Sequence, residues 1–108
     1  MNDTLQQLYQ VILDRRATPQ EGSYTCYLLE KGLDKILKKV GEECSETIIA
    51  AKNGVREDTV GEISDLIYHL MVMMVDQNIP LSAVMEELER RSMKIGNLKQ
   101  FHISDHES

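Results

Sequence analysis

The sequence has few of the residues on which several protein classes depend. Its 108 residues include no Trp, one Phe, two Cys and two Pro, and the net charge is −6. Six Met accompany the aliphatic residues, and unbranched Met side chains fill irregular gaps between helices. This composition favours an all-α bundle over a β-sandwich, and the length favours one domain.

The shortage of positive charge excludes a nucleic acid or an anionic membrane as the main partner, since both need a basic surface. Cys26 and Cys44 do not form a C-x-x-C pair, so we expect free thiols rather than a disulfide framework or a zinc knuckle. The N-terminus lacks the layout of a signal peptide, and no apolar run approaches the roughly 18 residues of a membrane span. We therefore expect a cytoplasmic protein with no membrane partner.

Apolar residues recur at helical spacing along most of the chain. Asp3 or Thr4 can cap a first helix, whose pattern breaks at residues 15–19. Ser23 or Thr25 can cap a second helical stretch, which Gly32 interrupts. Residues 96–108 show no period. The domain is therefore predicted to span residues 1–95, followed by a frayed tail at 96–108.

Two long helices with a complete apolar stripe are predicted in the middle of the chain. The first ends at Gly54, and its stripe is Leu33, Ile36, Leu37, Val40, Cys44, Ile48 and Ala51. The second begins near residue 57 or 58, and its stripe is Val60, Ile63, Leu66, Ile67, Leu70, Met73 and Met74. Their short connection predicts an antiparallel hairpin. Pro80 can lie in the first turn of a last helix that reaches about Arg91.

Four to five helices of this size leave considerable apolar surface, so we expect the bundle to be completed by homodimerisation. Cys44 lies on the apolar stripe of the first long helix, so we expect it to be buried and chemically inert.

Five carboxylates flank the two predicted stripes. Glu42, Glu43 and Glu46 follow a Glu-Glu-x-x-Glu pattern, while Glu62 and Asp65 follow Glu-x-x-Asp. Packing the stripes together would place the two acidic flanks side by side. Such carboxylates repel one another unless a cation lies between them, and Mg²⁺ binds through a few carboxylates, waters and substrate phosphates. The spacing predicts a Mg²⁺ site, with an ordinary solvent-facing acidic surface as the alternative.

Basic residues precede these acids on the first long helix. Lys35 and Lys39 lie on the acidic flank, and Lys31 and Lys38 are nearby, so this region can hold an anion beside its metal. The alternative is pairing of Lys38 with Glu42 and of Lys39 with Glu43, worth only about 0.2–0.5 kcal/mol for each pair. His69 follows Asp65 by four residues, and we expect a hydrogen-bonded helix residue there rather than a metal ligand.

These motifs resemble those of the phosphoribosyl-ATP pyrophosphohydrolase family, within the all-α nucleoside triphosphate pyrophosphohydrolase superfamily. The resemblance rests on Gly-Leu-Asp-Lys-Ile-Leu-Lys-Lys-Val-Gly-Glu-Glu at residues 32–43, on Ser-Tyr-Thr at 23–25, and on Glu62-x-x-Asp65-Leu66 with Tyr68-His69. It covers about residues 5–92, while residues 93–97 depart from the family pattern.

The resemblance implies Mg²⁺-dependent hydrolysis of phosphoribosyl-ATP to phosphoribosyl-AMP and pyrophosphate, the second step of histidine biosynthesis. It implies that Glu43, Glu46, Glu62 and Asp65 bind Mg²⁺, and that Lys35 and its neighbouring lysines contact the substrate. It also implies a homodimer, and we expect a separate cyclohydrolase to perform the next step.

The expected chemistry is attack by water on the α-phosphorus, with Glu42 or Glu46 as the base. Two alternatives remain at this point. One is a house-cleaning pyrophosphohydrolase of the same fold that acts on nucleoside or deoxynucleoside triphosphates, and the other is a non-enzymatic helical dimerisation module.

Overall fold

The computed structural model describes residues 3–93, which form five α-helices and no strand. The helices are α1 Thr4–Ala17, α2 Tyr24–Lys31, α3 Leu33–Asn53, α4 Arg56–Asp76 and α5 Leu81–Ser92. None of these helices is long and apolar enough to cross a membrane. The predicted all-α class is confirmed, whereas the predicted tail at 96–108 and the end of the domain at residue 95 lie outside the described residues.

Local signals explain several helix ends. Ser23 caps α2, because its Oγ accepts a hydrogen bond from the Cys26 backbone N–H at 3.1 Å. Gly32 separates α2 from α3 with φ 93° and ψ −174°, a conformation that essentially only glycine adopts. Gly54 ends α3 in the left-handed region, at φ 78°. Pro80 immediately precedes α5 rather than lying in its first turn.

Helix α1 continues past the predicted break at residue 15. Arg16, in its last turn, donates to the Val75 carbonyl oxygen at 2.6 Å and to Asn78 Oδ1 at 2.9 Å. The Tyr9 hydroxyl donates to the Ile79 carbonyl oxygen at 2.6 Å. These bonds attach α1 to the end of α4 and to the turn that follows, which a reading of local periodicity does not anticipate.

Helices α3 and α4 pack together as the predicted antiparallel hairpin, with α1 and α2 packed against it. The core is mainly aliphatic, with methionine and one tyrosine. Its buried residues are Tyr9, Ile12, Leu28, Ile36, Met71, Val72, Met74, Val75 and Leu81.

The face that α3 buries differs from the prediction. Of the predicted stripe only Ile36 is buried and Val40 half-buried; Cys44 is exposed, and Ile48 is 70 % exposed. The buried residues of α3 are Ile36, Glu43 and Ala50. They recur every seven residues, and seven residues of an α-helix come within about 20° of two full turns, so the three side chains lie on nearly the same face. The helix thus buries Glu43 of its acidic flank, while Glu42, Glu46 and most of the apolar stripe lie at the surface. The predictions that this stripe, and Cys44 within it, are buried in the chain are wrong.

The prediction of a buried apolar stripe on α4 is partly correct. Met74 is buried, but Val60 and Ile63 at the start of the stripe are 55 % and 42 % exposed. The buried residues of α4 lie from position 69 onwards, and α1 also packs against this helix. The first half of the helix therefore contributes an exposed apolar surface next to that of α3.

Candidate functional site

Three carboxylates converge between α3 and α4. Glu43, Glu62 and Asp65 each offer an oxygen atom, and these atoms all lie within 4.8 Å of one another. Glu43 is only 6 % exposed, Glu62 is half-buried and Asp65 is exposed. The cluster therefore has a buried end between the helices and an end open to solvent.

A threonine joins the two helices behind this cluster. Thr47 Oγ1 lies 2.7 Å from the Glu43 carbonyl oxygen and 3.3 Å from the Glu62 carbonyl oxygen. Since the hydroxyl donates to a carbonyl in each contact, Thr47 fixes the spacing of the backbones that carry two of the three carboxylates.

Two carboxylate oxygens of the cluster lack a hydrogen-bond partner. Glu43 Oε2 and Glu62 Oε2 are both buried, and no donor within residues 3–93 reaches either of them. An unpaired buried polar atom is costly, and the cost is greater when the group is charged. Oxygen ligands of this kind suit Mg²⁺, so the donor set fits a divalent cation.

The electrostatics of the cluster favour either a proton or a cation. Burial and the neighbouring Glu46 carboxylate raise the pKa of Glu43. Burial, followed by the carboxylates of Glu46 and Glu43, raises the pKa of Glu62 to about 7. A divalent cation would favour the ionised form of both groups and would therefore lower both pKa values.

The other two predicted acids lie beside the cluster. Glu46 is exposed and close enough to affect both raised pKa values, although it is not among the three converging carboxylates. Glu42 is exposed, and its Oε1 lies 3.8 Å from Lys39 Nζ. A cleft of about 400 Å³ adjoins the cluster and is lined in part by Glu46, Glu62 and Asp65.

The four predicted lysines occupy different environments. Lys39 is half-buried, with its Nζ 3.7 Å from Glu43 Oε1, so the predicted Lys39–Glu43 pair is present. The predicted Lys38–Glu42 pair is not, because Lys39 pairs with Glu42 instead. Lys38 is exposed and forms no ion pair with an acid of residues 3–93.

Partial burial works to lower the pKa of Lys39, but neighbouring Tyr24 and the nearby carboxylates outweigh it and raise the pKa. Lys39 therefore stays positively charged beside the cluster at neutral pH.

An aromatic cluster next to the carboxylates was not predicted as part of the site. The Tyr24 hydroxyl lies 3.0 Å from His69 Nε2, and His69 Nδ1 lies 2.7 Å from the Asp65 carbonyl oxygen. A carbonyl only accepts, so Nδ1 carries the hydrogen, and in the neutral ring Nε2 accepts the hydroxyl hydrogen of Tyr24. His69 is 5 % exposed, which agrees with the predicted hydrogen-bonded residue.

The sequence signal for this cluster was weak but present. The chain has only four Tyr, and Tyr24 and Tyr68 lie within the motifs quoted above. Their rings are 6.1 Å apart, and Tyr68 stacks edge-on against His69 at 4.9 Å. Only packing of α2 against α4 brings these distant positions together.

Comparison with known proteins identifies the family. Residues 5–92 match the family described as phosphoribosyl-ATP pyrophosphohydrolase. The chain belongs to this family. The membership predicted from residues 32–43 is thus confirmed.

Curated members of the phosphoribosyl-ATP pyrophosphohydrolase family are similar over most of the chain. The phosphoribosyl-ATP pyrophosphatase of Clostridium botulinum strain Kyoto is 57 % identical over 98 residues, covering 91 % of this chain and 89 % of that protein. The enzyme of the same name from Clostridium novyi is 52 % identical over 97 residues, covering 90 % and 88 %.

A longer family relative is the histidine biosynthesis bifunctional protein HisIE of Caldanaerobacter subterraneus. It is 56 % identical over 92 residues, which cover 85 % of this chain and 45 % of that protein.

Proposed function

We propose that this chain hydrolyses phosphoribosyl-ATP to phosphoribosyl-AMP and pyrophosphate with the aid of Mg²⁺, in the second step of histidine biosynthesis. The observation that carries the proposal is the convergence of Glu43, Glu62 and Asp65 in a chain of this family. Relatives more than half identical over most of the chain carry the name of this activity.

The metal would be held by Glu43, Glu62 and Asp65, with Glu46 as a fourth ligand from the rim of the cleft. Supporting this assignment, the two buried oxygens without a partner belong to Glu43 and Glu62. When bound, Mg²⁺ would neutralise charge on the phosphates and lower the pKa of a bound water.

The side chains around the cluster would position the substrate and accept a proton. Lys39, charged and half-buried, would contact the triphosphate beside the carboxylates. Glu42 and Glu46 are the two candidate bases for the attacking water. We favour Glu46, acting through the carboxylate oxygen that does not bind the metal, because the carboxylate of Glu42 is paired with Lys39 at 3.8 Å.

We also propose that the chain functions as a homodimer. The exposed stripe of α3 and the exposed start of α4 present an apolar surface that includes Leu37, Ile48 and Ile63. A second copy that covers this surface would bury the stripes that the chain alone leaves in water. A cytoplasmic location and a separate cyclohydrolase for the next step stay predictions.

The decisive experiment measures pyrophosphate release from phosphoribosyl-ATP and from a panel of nucleoside and deoxynucleoside triphosphates. We expect a strong preference for phosphoribosyl-ATP, absence of activity in EDTA, and complementation of a histidine auxotroph that lacks this step. The Glu43→Gln and Asp65→Asn variants should lose about 100-fold or more in activity, while Glu89→Gln, which removes an exposed acid of α5, should be as active as the wild type.

A preference for ordinary or deoxynucleoside triphosphates would instead support the house-cleaning alternative. If Mg²⁺ binding and hydrolysis survive both carboxylate substitutions, the acids form a solvated surface and the metal site is wrong. A chain that binds no nucleotide but dimerises would support the non-enzymatic module.

A further inference from the structure

Two lysines converge on one tyrosine at the junction of α2 and α3. Lys31 Nζ lies 5.8 Å and Lys35 Nζ 5.9 Å from the centroid of the Tyr27 ring. Lys31 is the last residue of α2 and Lys35 lies in the first turn of α3, with Gly32 turning the chain between them. Both distances are within the range of a cation–π contact. We call Lys31 and Lys35 the junction lysines.

The junction lysines have no acidic partner in the part of the chain that the structure describes. No carboxylate oxygen there lies within 4.0 Å of either Nζ, whereas Lys39 has two carboxylates at that range. Lys35 lies in the first turn of α3, beside Asp34, at the positive end of the helix dipole, where an anion is favoured. Two unpaired ammonium groups at such a place match a doubly charged anion, and a phosphate monoester carries a charge near −2 at neutral pH.

Exposed aromatic rings connect the junction lysines to the carboxylate cluster. The Tyr24 ring stacks on Tyr27 with centroids 6.2 Å apart, and the Tyr24 hydroxyl bonds His69, which in turn bonds the Asp65 backbone. Tyr24 and Tyr27 are 44 % and 42 % exposed, so part of each side chain is accessible to a ligand. The surface therefore runs from the carboxylate cluster, over the aromatic rings, to the junction lysines.

We infer that the junction lysines bind the 5′-phosphate of the phosphoribosyl group, while Tyr24 and Tyr27 contact the purine and ribose between the two ends. This inference rests on the proposed function. Phosphoribosyl-ATP differs from ATP in carrying a ribose 5-phosphate on its purine, so it has one phosphate far from the triphosphate. Binding that distant phosphate distinguishes this substrate from ATP and from deoxynucleoside triphosphates, which lack it.

The predicted lysines would contact two different parts of the substrate. Lys39 would serve the triphosphate end, beside Glu43, and the junction lysines would serve the opposite end. Substitutions at the two places should therefore change affinity for different parts of the substrate.

The test is calorimetric titration of phosphoribosyl-AMP and of AMP, each with Mg²⁺, into the full chain. The wild type should bind phosphoribosyl-AMP more tightly than AMP. The double variant Lys31→Met/Lys35→Met should lose at least about tenfold in affinity for phosphoribosyl-AMP and less than about twofold for AMP, since each lost hydrogen bond to a charged group weakens binding. Lys31→Arg/Lys35→Arg keeps both charges and should retain most of the preference.

Lys52→Met is the matched control, because it removes an exposed lysine from the last turn of the same helix. It should leave both affinities unchanged. Thermal unfolding of each variant separates loss of binding from loss of the fold.

An equal loss of affinity for both ligands, or no loss for either, would overturn the assignment. Failure of the wild type to release pyrophosphate from phosphoribosyl-ATP would instead refute the proposed function. The two results are distinguishable, because the titrations use ligands that are not hydrolysed at the triphosphate.

Discussion

At the scale of single residues, Glu43 is the buried carboxylate of the site. It combines burial, an oxygen without a hydrogen-bond partner and a contact with Lys39. Buried carboxylates are uncommon unless a partner compensates them. Lys39 compensates one oxygen, and Glu43 shares the cluster with Glu62 and Asp65, where a cation would compensate the rest of its charge.

The Glu43→Gln substitution should separate metal binding from folding. The variant keeps the shape of the side chain but removes its charge, so Mg²⁺ should no longer raise its melting temperature. Pyrophosphate release should fall by about 100-fold or more, because charge stabilisation at a metal site contributes several kcal/mol. Differential scanning fluorimetry with and without Mg²⁺ and a pyrophosphate assay measure the two effects. A wild-type response to Mg²⁺ in the variant would show that Glu43 is not a ligand.

The raised pKa of Glu62 predicts a pH dependence of stability. Its ordinary value is 4.5 and its value in the folded chain is about 7, so the folded state binds more protons than the unfolded state between these limits. Without divalent cations, this contribution to stability is fully present below about pH 4.5 and is lost as the pH rises through about 7. Stabilisation by Mg²⁺ should grow over the same interval, because the metal competes with the proton.

Melting temperatures measured in EDTA and in Mg²⁺ from about pH 5 to about pH 8 test this dependence. In the Glu62→Gln variant, which cannot titrate at that position, the melting temperature should depend less on pH both in EDTA and in Mg²⁺. If the metal-dependent shift were independent of pH in the wild type, proton competition at Glu62 would be disproved.

At the scale of elements, the junction of α2 and α3 depends on a single glycine. Gly32 ends one helix and begins the next at φ 93°, and this abrupt turn places Lys31 and Lys35 around Tyr27. A Cβ at Gly32 would meet no atom within 4 Å. Any cost of a larger residue there therefore comes from the backbone conformation and not from a clash.

Gly32→Ala should lower the free energy of unfolding by about 1–3 kcal/mol, the cost of a non-glycine residue in this region of φ and ψ. Gly41→Ala is a matched control, since Gly41 lies inside α3 and a Cβ there would also meet no atom within 4 Å. That change should stabilise the chain by about 0.5–1 kcal/mol, because alanine is the better helix former. Urea denaturation measures both, and equal effects of the same sign would contradict the role given to φ.

At the scale of the whole molecule, α3 buries one carboxylate and exposes much of its apolar stripe. Glu43 is 6 % exposed, whereas Ile48 is 70 % and Ile49 59 % exposed on the same helix. A single helix cannot direct both faces to one neighbour, and α3 packs against α4 with Glu43 buried while most of its apolar stripe lies at the surface. This arrangement allows one helix to serve a site and an interface.

Introducing a charge into the exposed stripe should dissociate the proposed dimer. Ile48→Glu should give a monomer with unchanged helix content, because a carboxylate in an apolar interface carries a large desolvation cost. Val11→Glu changes an exposed apolar residue of α1 and serves as the control. Analytical ultracentrifugation measures the mass, and circular dichroism measures the helix content. A wild-type chain that is monomeric at micromolar concentration would contradict the proposal.

The sequence by itself determined the helices, their ends at Gly32 and Gly54, the family and the pairing of the two acidic motifs. Capping, helical period and glycine conformation are local properties, so a single sequence contains them. Only the tertiary structure decided which face of α3 is buried, because the apolar stripe and the acidic flank both suit a helix and packing chooses between them. It also brought Tyr24 to His69, and Lys31 and Lys35 to Tyr27, since these contacts depend on how α2 meets α3 and α4.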